Sequence, residues 1–390
     1  MKTMRLLIAN EPSVYGAFAI IDDLIRQILA EHPEIQVDLA YSSKRSGEAL
    51  RDLIREIERH GGECLDLKVG NAPSLGDLAA FLKLIRFTRR RKHDLVYCQK
   101  SKAGALARIA RLIVPYPPVI YGTQGYYGMG DRAGITSMFY NTVETLLGRV
   151  GVTINCSEDE QDFGVHHLHI PPSNLVVIHN GIDTARFDPS THEERTAARE
   201  LLGLPARGKL LVTVGRESEQ KNLDPLYEVL DVMLPDDDWT FAHAGEGSGK
   251  LRASLSSRAA AKCFAFEYLD DLVPLLHAAD GFVMTSRYEG LSIAMMDALS
   301  CGLTCFLPDT WGFRFLRNYR FNDVIWLPNP DSPAELKKGL RSSLAAWAAE
   351  PPGVLEVQHE QACRIFNQHD QQEKTIAFFK SYAGGQKYPR

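Results

Sequence analysis

The chain has 390 residues, 45% of them hydrophobic and 24% charged, with a formal net charge of −5 at pH 7. That length suits two domains of ordinary size, and the composition is that of a soluble globular protein. The negative balance supplies no global field to recruit nucleic acid. No apolar stretch approaches the ~20 residues that a membrane-spanning helix needs. The apolar run near Met1 is too short for a signal peptide and reads as a first buried strand. Seven cysteines (Cys64, Cys98, Cys156, Cys263, Cys301, Cys305, Cys363) are dispersed, and no second Cys or His pair follows Cys301 and Cys305 at zinc-site spacing. They read as free thiols in a reducing cytoplasm.

In chain order, short β-like runs at 6–9, 37–40, 95–98, 119–121 and 152–155 alternate with helical periodicity at 17–30, 47–60 and 74–90. Such alternation predicts a parallel sheet covered on both faces. Asn180-Gly181 is a turn signal, and 187–189 is a polar connector. The pattern then restarts, with strands at 210–214, 240–244, 265–268, 281–284, 304–307 and 324–327. Helices are expected from Asn222 to about 234, then at 272–279, 293–300 and 333–347, and 358–383 is helical with no further strand. No repeat or low-complexity tract stands out. Two consecutive α/β units imply two Rossmann-like domains.

The segment from Ser286 to Gly302 is the most informative in the chain. An apolar strand ends in a loop with Glu289, and a helix opens near Ser292, a good N-cap residue, with Asp297 inside it. A loop acid beside the positive end of a helix is a natural seat for a sugar attached to a diphosphate. A carboxylate within the helix can accept two hydrogen bonds from a vicinal diol. Taken in isolation, the two acids read better as solvated charges. Upstream, Gly215-Arg216 follows a strand and Lys221-Asn222 precedes a helix, so two cations flank a strand-to-helix turn and could neutralise a diphosphate. The run 245–250 (Gly-Glu-Gly-Ser-Gly-Lys) fails the P-loop pattern, because Ala244 stands where its first Gly belongs and Leu251 follows the Lys. Glycines there suit a tight turn.

These elements resemble the GT4 family of retaining glycosyltransferases with the GT-B fold. The match lies in the Glu-x7-Glu signature, present here with Asp297 as the second acid, together with Gly215-Arg216, Lys221, and Asn180-Gly-Ile-Asp183 with Phe187. The resemblance implies an acceptor domain over 1–185 and a nucleotide-sugar domain over 186–365 facing it across a cleft. A closing helix over 366–390 would pack back on the first domain. It implies Arg216 and Lys221 on the donor phosphates, Glu289 on the sugar, and Asp297 on the ribose. Gly16, Gly215, Gly245, Tyr268, Gly290, Leu291 and Ser292 would line the donor, with backbone at Tyr268 and Leu269 beside the base. Gln124 stands where many members have His, and it can orient a sugar or acceptor but cannot shuttle a proton near neutral pH. In the front-face mechanism favoured for such enzymes the leaving phosphate activates the acceptor hydroxyl. The acceptor would enter near Gln124 and 126–131. The segment at 100–104 resembles the family's Ser-x-Ala-Gly on the acceptor side, and 157–159 the Ser-Glu that ends the last strand of the first domain; both read more safely as helix caps, Ser157 with Glu160 at capping-box spacing.

The resemblance therefore implies a hexosyltransferase that moves a sugar from a UDP-linked donor to a glycan or lipid-linked acceptor in surface polysaccharide synthesis. It would need no cofactor and no metal; the cluster His166-His167-Leu-His169 has no acidic or Cys partner at ligand spacing, and 236–238 follows Pro235 and reads as a turn. Arg86, Arg89, Arg90, Arg91 and Lys92 end an amphipathic helix. They suit the helix dipole or, equally, an anionic membrane surface. The expected place is the cytoplasm, peripheral on the inner face of the membrane. The rivals are a silent GT-B sugar-binding module, favoured by Gln124 and Asp297, and a sugar-nucleotide epimerase.

Overall fold

The computed structural model describes residues 3–385 apart from 11–15, 46, 71–73, 75, 131–133, 320, 322 and 350–355. The chain forms two compact units, one of Met1–Gly181 with His369–Arg390, the other of Ile182–Gln368, against expected passages after 185 and 365.

Unit 1 runs β1 (Met4–Asn10), α1 (Gly16–Glu31), β2 (Ile35–Tyr41), α2 (Glu48–Arg59), β3 (Cys64–Asp66), α3 (Gly76–Arg91), β4 (Leu95–Gln99), α4 (Ser101–Ile113), β5 (Val119–Gly122), α5 (Ile135–Leu147), β6 (Val152–Asn155), α6 (Glu158–His166) and β7 (Leu175–Val177). Its seven strands lie in the order β3-β2-β1-β4-β5-β6-β7, and every pairing is parallel. Alternation along β1 shows why both faces are covered. Leu6 and Ile8 join one core cluster with α1 and α2, while Leu7 and Ala9 join the other with α3 and α4. The strand order reverses between β1 and β4.

Unit 2 runs α7 (His192–Leu201), β8 (Leu210–Val214), α8 (Asp224–Met233), β9 (Thr240–Ala244), α9 (Ser248–Ala253), α10 (Ser257–Ala260), β10 (Cys263–Phe266), α11 (Val273–Ala278), β11 (Gly281–Val283), α12 (Ile293–Ser300), β12 (Thr304–Pro308), β13 (Val324–Leu327), α13 (Pro333–Ala349) and α14 (Glu356–Phe366). The sheet order is β10-β9-β8-β11-β12-β13, again parallel throughout. Its core gathers Phe241, Val283 and Phe306 from the strands with Leu226, Leu340 and Trp347 from the helices. The order reverses between β8 and β11, and in open α/β sheets ligands bind at the carboxyl ends of strands beside such a reversal.

Three differences from the expected elements have local causes. β3 and β7 are three-residue edge strands, too short to carry an alternation signal. The strand expected at 265–268 lies two residues earlier, which releases Glu267 into a loop. The helical stretch 358–383 is two helices, α14 and α15 (Gln368–Ala383), broken at Asn367. There the backbone pairs with Ile182: Ile182 N donates to Phe366 O at 2.8 Å and Gln368 N to Ile182 O at 3.0 Å. α15 then returns to unit 1, where Ile376, Phe378 and Phe379 are buried and the Phe379 ring lies 4.9 Å from that of Tyr97. Burying each of these side chains contributes about 1.5–3 kcal/mol.

Candidate active site

In unit 2, three loops leave the carboxyl ends of β8, β9 and β11, the strands at and beside the reversal. The first two meet backbone to backbone. A Cβ on Gly245 would lie 2.2 Å from the Gly215 carbonyl oxygen, and Gly245 also has φ +153°, so only glycine fits. The role goes beyond the tight turn that spacing suggested. Beneath them His243 is buried, with Nε2 2.7 Å from Gly215 O and Nδ1 2.9 Å from the Tyr227 hydroxyl. A carbonyl can only accept, so Nε2 carries the proton and Tyr227 donates to Nδ1. Burial pushes the His243 pKa down, which keeps the ring neutral in this role. Glu267 closes the 245–249 turn by accepting from the amides of Gly247 and Gly249, both at 2.7 Å. Sequence reading missed His243 and Glu267, which carry no motif.

The first and third loops are laced together. Asn222 Nδ2 donates to Thr285 O (3.1 Å), Thr285 Oγ1 donates back to Asn222 O (2.8 Å), and Arg287 N donates to Gln220 O (2.8 Å). Asn222 has φ +49°, a left-handed backbone that asparagine tolerates better than most residues. This lacing brings Lys221 Nζ to 2.8 Å from Glu289 Oε1, while Gln220 Nε2 donates to Glu289 Oε2 at 3.2 Å. Glu289 is further fixed through its amide, which donates to Trp311 O at 3.0 Å. A Cβ on Gly312 would come within 2.3 Å of the Glu289 carbonyl oxygen. Gln220 and Gly312 also escaped the sequence reading. Arg216 is exposed and forms no ion pair among the described residues.

Ser292 caps α12 as expected, its hydroxyl accepting from Met295 N. Leu291 is buried beside it and Gly290 precedes it in the same loop. Asp297 is only 3% exposed, and its Oδ1 has no hydrogen-bond partner. Desolvation pushes its carboxyl up to about 8, opposed weakly by the Arg186 guanidinium. An orphaned buried carboxyl costs stability, and a ligand supplying hydroxyl donors would offset that cost. Tyr268 is exposed just past β10.

In unit 1, β5 ends in the loop carrying Gln124, at φ +56°. Its side-chain amide pairs reciprocally with that of Asn180: Gln124 Nε2 donates at 2.9 Å and Asn180 Nδ2 donates back at 2.8 Å. A cavity of about 40 Å³ beside this pair is also lined by Asp23, Tyr97, His179 and Thr375. Behind the loop Glu160 is fully buried. It accepts from the Thr123 hydroxyl, the Gly125 amide and the Cys156 amide. Ser157 caps α6 by accepting from Glu160 N, as its spacing implied. The other proposed cap differs: Lys100 occupies the N-cap position of α4, without a side-chain cap, and Ser101 is already helical. Gly104 is there for packing, since a Cβ would strike the Tyr121 ring at 2.4 Å. Gly16 opens α1, but residues 11–15 and Asp131 lie outside the described residues.

The basic helix end is partly spent on the fold. Arg91 forks onto the buried Asp38 (2.8 and 3.0 Å), and Arg90 pairs with Glu63. Arg86, Arg89 and Lys92 remain exposed. As for metals, Glu31, His32 and Glu373 bring three ligand atoms within 4.8 Å of one another. Lys380 already reaches His32 Nδ1 at 3.0 Å and Glu34 at 2.6 Å there.

Comparison with known proteins now bears on this geometry. Residues 19–186 match the profile of "Glycosyltransferase Family 4" and residues 208–345 that of "Glycosyl transferases group 1". The chain belongs to the family 4 glycosyltransferases. It is 25% identical over 65% of its length to the Escherichia coli UDP-Gal:alpha-D-GlcNAc-diphosphoundecaprenol alpha-1,3-galactosyltransferase, and the match spans 68% of that relative. Solved structures agree on the GT-B fold. Sucrose-phosphate synthase from Thermosynechococcus elongatus superposes with TM-score 0.77 at 14% identity, over 98% of this chain and all of that one. Anabaena HepE, solved with UDP-glucose, does so with TM-score 0.75 at 18% identity, over 97% and 100%. This family 4 member is accordingly an enzyme of the hexosyltransferase type.

Proposed function

We propose that this enzyme moves a hexose, with retention of configuration, from a UDP-linked donor to a glycan or lipid-linked glycan acceptor in surface polysaccharide synthesis. The observation that carries the reading is the Lys221–Glu289 pair at the strand-order reversal of unit 2, with the unpartnered carboxyl of Asp297 in the helix that follows. Arg216 and Lys221 would neutralise the diphosphate as the bond from the sugar anomeric carbon to phosphate oxygen breaks. Glu289 would accept from the sugar hydroxyls, and Asp297 from the ribose diol. Gly16, Gly215, Gly245, Gly290, Leu291 and Ser292 would line the donor, with Tyr268 beside the base. The acceptor hydroxyl would bond to the anomeric carbon on the face the diphosphate leaves, giving its proton to the departing phosphate oxygen. Gln124, held by Asn180, would orient sugar or acceptor without exchanging a proton.

The relative whose donor is UDP-galactose and whose acceptor is a diphosphoundecaprenol-linked sugar supports a UDP donor and a lipid-linked acceptor. Such an acceptor would bring the enzyme to the inner face of the membrane, with Arg86, Arg89 and Lys92 toward anionic headgroups. The mechanism asks nothing of a metal or other cofactor. Hydrolysis of a UDP-sugar panel, with Glu289→Ala as control, tests the reading. If no nucleotide sugar is hydrolysed and none raises the melting temperature, the proposal is wrong.

A further inference from the structure

Nine of the thirteen exposed large apolar side chains among the described residues lie on α3, α4 and α5. Scattered single exposures need no explanation, but concentration on consecutive packed helices does. On α5 the exposed apolar positions are Ile135, Met138, Phe139 and Leu146, one stripe at helical spacing, and Ile135 is 83% exposed. On α4 they are Ile109, Leu112 and Ile113 at its C-terminal end. On α3 a single stripe passes from Leu78 and Leu82 to Arg86 and Arg89.

The charges are as one-sided as the apolar groups. The only acid on α4 or α5 is Glu144, buried and paired with the buried Arg108 at 2.8 Å. The acid on α3, Asp77, pairs with Lys102 at 3.1 Å. Exposed cations surround the patch: Arg86 and Arg89 on α3, Lys92 just past it, Arg111 on α4, and Arg149 just beyond α5. A shallow concavity of about 460 Å³ along α5 is lined by no ionisable side chain.

We propose that this face docks on an anionic lipid bilayer, with the apolar stripes of α4 and α5 entering the interface and the rim cations meeting the headgroups. Exposed apolar area on three helices whose described residues carry no open carboxylate is what such a surface requires. A second copy of the chain fits worse, because two such faces would bring like cations together. The inference extends membrane contact from charge attraction at α3 to insertion at α4 and α5. It stands on this surface alone, independent of the transfer reaction.

Flotation with vesicles of phosphatidylcholine, alone or mixed with phosphatidylglycerol, tests it without any sugar donor. The protein should float with the mixed vesicles. The pair Met138→Glu and Phe139→Glu should lower the bound fraction at least tenfold, and Arg86→Glu with Arg89→Glu should abolish the preference for anionic vesicles. All four native tryptophans (Trp239, Trp311, Trp326, Trp347) lie in unit 2, so Phe139→Trp adds a probe in unit 1 whose emission brominated lipid should quench. Melting curves check that each variant folds, and Phe139→Ser replaces the glutamates if they do not. The proposal is overturned if the wild type floats with neither vesicle, or if the glutamate variant floats as the wild type does. It is also overturned if ultracentrifugation without lipid shows a dimer that the same variant abolishes. UDP-sugar hydrolysis on the same variants separates a failure of docking from a failure of the transferase reading.

Discussion

The loop of residues 215–223 in unit 2 and the loop of residues 123–126 in unit 1 both leave the carboxyl ends of parallel strands, yet they are fixed by opposite means. In unit 2 the anchors are neutral: His243 holds the Gly215 carbonyl, and Thr285 with Asn222 joins the two strand ends. Its charged side chains are not spent on backbone: Arg216 is exposed, and the part-exposed Lys221 pairs with the buried Glu289. In unit 1 the anchor is an ionisable group, the carboxyl of Glu160, buried beneath backbone amides and pushed up in pKa by desolvation, and what stands in front is the neutral Gln124–Asn180 pair. On the proposed reading, a loop that would hold a diphosphate keeps cations for the ligand, whereas one that would only orient hydroxyls can spend a carboxyl on its own backbone.

The largest expected break in this contrast is at Glu289. Glu289→Ala removes a group placed to act as charge develops, so turnover should fall about a thousandfold. Nucleotide binding should stay within a few-fold, measured by calorimetry beside kcat. Loss of nucleotide affinity without loss of kcat would take Glu289 off the sugar and leave it the role of holding Lys221 for the phosphates. Next is Glu160→Ala, expected to leave turnover per folded molecule nearly intact while destabilising unit 1. Three donors, two of them buried, lose their acceptor at once, so the cost should reach about 3 kcal/mol by urea unfolding. A variant as stable as the wild type would show that the carboxylate does not hold the loop.

How much of this was readable beforehand differs by physical cause. The long buried strands and their helices were legible because burial on two faces writes continuous apolar runs. Edge strands β3 and β7 write nothing in three residues, and the break at Asn367 depends on a pairing with Ile182 far away in sequence. In the candidate site, Glu289, Lys221 and Arg216 were singled out by their combined spacing in a family motif, since each alone reads as a solvated charge. His243, Gln220 and Gly312 were not, because each acts by touching backbone or carboxylate across the fold. The five cations near residue 90 looked alike in sequence, and only contacts with Asp38 and Glu63 separate the structural pair from the open three.

Asp297 offers a smaller and sharper test. Its carboxyl, at about 8 when folded, holds a proton that the unfolded chain releases near pH 4. The native state therefore binds more protons across that window. The stability this confers is full below about pH 4 and is lost as pH rises through about 8, so Asp297→Asn should flatten the decline. Hydroxyl donors from a bound ribose would favour the carboxylate. Nucleotide binding near pH 7.5 should then release a proton, seen as a buffer-dependent calorimetric heat that Asp297→Asn lacks. Affinity in that variant should fall about tenfold, roughly 1.4 kcal/mol. Equal heats in all buffers would take Asp297 off the ribose.

The smallest effect is expected at Gln124. Removing its amide breaks two neutral hydrogen bonds to the buried Asn180, but the adjoining cavity of about 40 Å³ can admit a water in its place, so Gln124→Ala should cost only about 1 kcal/mol of stability. Its effect on kcat should be modest, about tenfold, and above all flat with pH. An amide titrates nowhere in the working range, so its loss cannot remove a limb from the profile. If the variant does lose a limb, a proton passes through the Gln124–Asn180 pair by way of a neighbour. His179, which lines the same small cavity and sits 2.9 Å from Glu158, is the group to change next. A flat profile leaves the leaving phosphate as the proton acceptor, and with it the reason this loop can do without an ionisable side chain at its tip.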